Sequence, residues 1–129
     1  MEKIEVFDTD VPVRLRRGDN PEACTVSVRP LSRYEMLDVT RAASVERTED
    51  ARQIASAFLV RRMQIVGADK LTHFRTGKDV PFATEAVPGL SRHIASRAVF
   101  EALSDADFVA IDKALPPLGG GLSEAQSGN

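Results

Sequence analysis

At 129 residues, with 43% hydrophobic and 28% charged side chains and a formal charge of -2, the chain has the makings of one soluble globular domain with a real core. A charge this close to neutral, with no basic run beyond Arg14, Arg16 and Arg17, argues against nucleic acid as a partner, and no apolar stretch approaches a membrane span. The single cysteine, Cys24, excludes an internal disulfide, and the start Met1-Glu2-Lys3-Ile4 lacks the apolar stretch of a signal peptide, so a cytoplasmic protein is expected.

In chain order, Ile4 to Phe7 reads as a short strand or a lead-in. Val11 to Arg17 and Cys24 to Arg29 then alternate strictly. Val11, Val13 and Leu15 oppose Pro12, Arg14 and Arg16, while Cys24, Val26 and Val28 oppose Thr25, Ser27 and Arg29. Such period-two patterning buries one face of each strand, and the turn residues Gly18 to Glu22 between them predict a hairpin. Ser32 with Glu35 forms a capping box that opens a helix running to about Ala43. After a polar loop, Thr48 caps a second helix on which Ala51, Ile54, Ala55, Phe58 and Leu59 share one face. Glu49 and Asp50 suit its first turn, and Arg61 and Arg62 its last.

Beyond it, Met63 to Val66 and Leu71 to Phe74 read as a small second hairpin around a turn at Gly67 to Lys70. A helical pattern resumes from about Leu90, with Pro88 at its start and rows at Ile94, Ala98, Ala102 and at Ala95, Val99, Leu103. Ser104 with Asp107 signals a last cap, followed by Phe108, Ile111 and Leu115 on one face and the stop Pro116-Pro117. The expected fold is α+β: a small antiparallel sheet built on the N-terminal hairpin, with three to four helices packed on one face. Residues 1–115 form the single domain, and 116–129 a flexible tail rich in Pro, Gly and Ser.

Catalytic chemistry finds few candidates. His73 and His93 lack the paired short spacing of metal ligands, and Cys24 lies on an apolar strand face as a small buried hydrophobe. The acidic pairs Glu49-Asp50 and Asp105-Asp107 sit where helix starts favour them, and Gly119 to Gly121 lacks the flanks of a phosphate-binding loop. The reading is therefore a non-enzymatic protein with no cofactor and no metal. Partner contact is expected at Arg14, Arg16 and Arg29 on the outward strand faces, and at Arg61 and Arg62.

The phrase Thr25-Val26-Ser27-Val28-Arg29-Pro30-Leu31-Ser32, followed by Tyr34-Glu35-Met36, resembles the strand-to-helix step of the tail assembly chaperones of long-tailed bacteriophages. Val60 to Phe74 is similar to that family's strand, acidic turn and strand, although Gly67 here precedes Asp69 rather than following it. Asp79-Val80 and Leu103-Ser104 stand before helical patterns, as in the family. The resemblance implies a host-cytoplasmic chaperone that coats the tape-measure protein, recruits tail-tube subunits and leaves the finished particle, with self-association as a further possibility. It also implies a longer frameshifted form, with a junction near Pro116 to Gly121. The competing expectations are a structural virion component (tail completion, neck or tail-tube-associated) and a small inhibitor of a host protein.

Overall fold

The computed structural model describes residues 10–17 and 20–115, with the side chains of 20–23 left out. The expected strand at Ile4 to Phe7, the turn residues Gly18 and Asp19, and the tail from Pro116 lie outside the described residues.

Strands β1 (Val11–Arg17) and β2 (Asn20–Val28) pair antiparallel, with Val13 opposite Val26 and Leu15 opposite Cys24. The alternation places Val13, Leu15, Cys24, Val26 and Val28 on one buried face, as the period-two pattern requires. A third strand, β3 (Ile65–Asp69), joins the far side of β2, giving the order β1-β2-β3.

This corrects the expected second hairpin. Met63 and Gln64 finish a helix, and β3 pairs with β2 rather than with Leu71 to Phe74, of which Thr72 makes only an isolated bridge to Asp79. The reason is burial: Ile65 and Ala68 complete the apolar face of the first hairpin, which a separate hairpin would leave open. Lys70, at φ 58°, then turns the chain away from the sheet.

Helix α1 (Arg33–Ala43) opens on the expected capping box: Ser32 Oγ accepts from the Glu35 amide at 3.1 Å, and Glu35 Oε1 accepts from the Ser32 amide at 2.8 Å. Helix α2 (Glu49–Gln64) starts at Thr48, whose Oγ1 accepts from the Ala51 amide. Its buried side chains are Leu59, Val60, Arg62, Met63 and Gln64; of the predicted face Leu59 is buried and Ala51 and Ala55 half-buried, while Ile54 and Phe58 stand exposed.

The helix expected from Leu90 starts later. Val87 to Leu90 is a turn, β4 (Thr84–Glu85) pairs antiparallel with β5 (Ile94–Ala95), and only α3 (Arg97–Glu101) is helical, capped by Ser96. Helix α4 (Asp105–Ala114) follows the Ser104–Asp107 capping box.

Two clusters make the core. The sheet face packs on Ala95, Val99, Ala102, Leu103, Ile111 and Leu115, while Val39, Ala42, Leu59, Val60, Met63 and Ile94 hold α1 against α2. The fold is thus α+β, as the element pattern predicts.

Candidate partner-binding surface

The five expected contact arginines do not gather on one surface. Arg14 and Arg16 are exposed on the open face of β1, opposite the buried row. Arg29 lies just past β2 and is half-buried; its amide donates to Gln64 O, and its charge acts on Glu35. Arg61 and Arg62 are adjacent on α2 and therefore point about 100° apart. Arg62 is the one whose placement overturns the expectation. It is only 8% exposed, donates from Nε to Ala95 O at 2.8 Å, and pairs with Glu85. It ties the β4–β5 pair to α2 from inside, where no partner reaches it.

Arg61 does lie at a surface. Its guanidinium grips both carboxylate oxygens of Asp112 on α4 and sits 5.0 Å above the Phe108 ring. The Arg61 hydrogen bond is the main reason the Asp112 carboxyl lies below its ordinary value; burial opposes it, and the Arg61 charge adds to the lowering. Beside this pair runs a ladder of rings. Phe58 stands 5.1 Å from Phe100, and Phe100 stands 5.4 Å from Phe108, both tilted. The ladder joins α2, α3 and α4, and it is open at one side: Ile54 is 55% exposed and Phe58 51%. Ile54 lies one turn before Phe58, so the two share a face, and Val109 on α4 is also exposed. Covering each half-open side chain would contribute on the order of 1 kcal/mol.

Two further arginines are structural. Arg17 bonds Asp107 through both guanidinium nitrogens and donates from Nε to Thr72 O at 3.1 Å and from Nη2 to Ala102 O at 3.3 Å. Arg92 pairs with Glu35 at 2.7 Å and donates to Met63 O at 3.0 Å, closing the end of α2. Burial pushes the Glu35 carboxyl up, but the Ser32 amide, Arg92 and Arg29 outweigh it and hold it below the ordinary range. Periodicity carries no signal for such bonds, because their partners are backbone carbonyls distant in sequence.

The remaining reactive side chains are engaged or apart. Cys24 is buried, with Sγ 3.7 Å from Thr72 Oγ1. His73 Nδ1 accepts from the Arg75 amide at 3.0 Å, shaping the loop that follows, and His93 is exposed elsewhere. A shallow groove of about 330 Å³ lies beside the end of β3, lined by Ala68, Lys70, Leu71 and the segment from Asp79 to Phe82. Among the described residues, no group of three or more His, Cys, Asp or Glu is placed to hold a metal ion, and no helix is long and apolar enough to cross a membrane. No protein-family model, no curated protein and no solved structure matches the chain.

Proposed function

We propose that this protein is a non-enzymatic tail assembly chaperone of a long-tailed bacteriophage, acting in the host cytoplasm on the tape-measure protein and recruiting tail-tube subunits to it. The observation that carries the reading is the open aromatic ladder on α2, α3 and α4, with half-exposed Ile54 and Phe58 at its edge. A long helical client with a partly apolar stripe is recognised by such a face, through apolar anchors spaced along one helix side. The resemblance of the strand-to-helix phrase from Thr25 to Met36 supports the same reading. Arg61 fits it as a rim group. Its bidentate pair with Asp112 holds the guanidinium over Phe108, where it bounds the apolar patch.

The test is capture of the tagged chain from phage-producing cells, read by mass spectrometry beside purified particles. Recovery of a very long helical protein and a tube subunit, with the chain missing from particles, is the expected result. Ile54→Glu should abolish that recovery while leaving the thermal unfolding profile in place, because the side chain already faces solvent. Presence of the chain in particles at fixed stoichiometry would make it a virion component, and a single host partner would make it an inhibitor. Either outcome overturns the proposal.

A further inference from the structure

We infer that the loop from His73 to Lys78 is a pH-sensitive element, ordered while the His73 imidazole is neutral and released when it takes a second proton. His73 is half-buried where the chain leaves the Thr72–Asp79 bridge. Its Nδ1 accepts from the Arg75 amide at 3.0 Å and from the Thr76 amide at 3.4 Å. A ring nitrogen that accepts carries no hydrogen of its own, so these bonds require the neutral imidazole with its hydrogen on Nε2. The rest of the loop winds about the same residue: His73 N donates to Lys78 O at 2.8 Å, and Gly77 N donates to His73 O at 2.9 Å. Phe74 N donates to Ala102 O just past α3, and Val80 N donates to Leu71 O. The loop is thus anchored at its ends, and the imidazole holds its middle.

Protonation undoes both of the imidazole's bonds. In imidazolium each ring nitrogen is a donor, so Nδ1 would aim a hydrogen at the two amides that now donate to it, and those amides would lose their acceptor. The new charge also finds no carboxylate. Arg75 and Lys78 stand on the same loop, and the Arg75 guanidinium already lies 5.2 Å from the centre of the Phe74 ring on which His73 stacks. Among the acids of the neighbouring elements, Asp107 of α4 is paired with Arg17 of β1, and Glu101 of α3 lies beside Arg97. Neither these nor Asp79 bonds the imidazole, whose Nε2 makes no hydrogen bond among the described residues. Histidine is the side chain whose charge ordinarily changes between about pH 5 and 8. A fall in pH across that window therefore removes the loop's central acceptor and adds a cation beside Arg75 and Lys78. Leu71 and Asp79, which flank the loop, also line the groove of about 330 Å³ beside β3, so release of the loop loosens a wall of that groove.

This inference is independent of the chaperone reading, since the purified chain alone suffices to test it. The measurement is backbone amide NMR between about pH 8 and about pH 5. The Arg75, Thr76 and Val80 signals should move together, on the same curve as the His73 ring protons. Order parameters at Arg75 and Thr76 should fall from about 0.85 to below about 0.6. Signals of β1, β2 and α2 should hold their places, which separates release of the loop from unfolding. His73→Asn puts an acceptor oxygen where Nδ1 stands and does not titrate, so its loop should stay ordered across the range. His73→Ala has no acceptor, and its loop should be mobile throughout. His93→Asn, at the other histidine, should respond as the parent does. A parent loop that keeps its order at about pH 5, a His73→Asn loop that melts on the parent's curve, an ordered His73→Ala loop, or a Val80 amide that stays fixed would each overturn the assignment.

Discussion

Among the described glycines, Gly89 is the one at which a single methyl group should do most harm, and a second glycine supplies the control. Gly89 has φ +94°, and a Cβ built there would lie 2.9 Å from Ala42 Cα and 3.1 Å from Ala42 Cβ. Carbon atoms rest about 3.5–4.0 Å apart, and the nearer atom belongs to the backbone of α1, which cannot swing aside as a side-chain tip would. Gly77 has φ +72° but nothing within 4 Å. Alanine at Gly77 therefore meets only the cost of a left-handed conformation, about 1–2 kcal/mol. Alanine at Gly89 meets that cost and an overpacking cost of about 1–3 kcal/mol, for a total near 3 kcal/mol. Against a total stability of about 5–15 kcal/mol this is a large fraction, equivalent to a fall in Tm of about 10 °C. Urea unfolding of Gly77→Ala and Gly89→Ala, fitted with a common slope, isolates the packing contribution as their difference. Adding Ala42→Gly should restore little, because the 2.9 Å contact to Cα remains. Equal destabilisation by the two alanines, or full rescue by Ala42→Gly, would refute the account.

Three further outcomes follow from the ion pairs. Asp107→Asn should cost about 3 kcal/mol in urea unfolding, because it strands the nearly buried Arg17 guanidinium; Asp112→Asn, at an exposed pair, should cost less than about 1 kcal/mol. Arg62→Ala should destabilise by about 2–4 kcal/mol in the same assay and Arg61→Ala by less than about 1 kcal/mol, despite their adjacency. The Glu35 carboxyl is held below its ordinary value of 4.5, so its contribution is complete above that value and is lost as pH falls through the lower folded value. The stability gap between wild type and Glu35→Gln should therefore shrink between about pH 6 and about pH 3 when urea midpoints are compared. A gap that widens on acidification would reverse the sign of the argument.

What could be read in advance was whatever local chemistry decides. Caps at Ser32, Thr48 and Ser104 were legible because a hydroxyl three residues before a free amide acts within one turn. The β1–β2 hairpin was legible because alternation leaves one assignment of faces. Helix α2 was harder: Ala51, Ile54, Ala55, Ala57, Phe58, Leu59, Val60 and Met63 wrap around it, so more than one row could face inward. The neighbours chose Leu59 and Met63, because Val39 and Ala42 of α1 and Ile94 of β5 fit there, and Ile54 and Phe58 were left outside. Composition could not announce that choice. The strand Ile94–Ala95 was likewise hidden inside a row that also suits a helix, and Ser96 decided the matter by capping α3 two residues later.

The arginines mark where reading one chain by patterns stops. With no tryptophan and 5% aromatic residues, the core is small and aliphatic, and its elements are joined at the margins by guanidinium groups. Arg17, Arg62 and Arg92 each reach at least one backbone carbonyl and one carboxylate, so each has two or more bonds to elements that are distant in sequence. Such a residue looks on paper like any solvated cation. What separates it from Arg33 or Arg41 is the company of the acids: Asp107, Glu85 and Glu35 all turn toward these internal arginines.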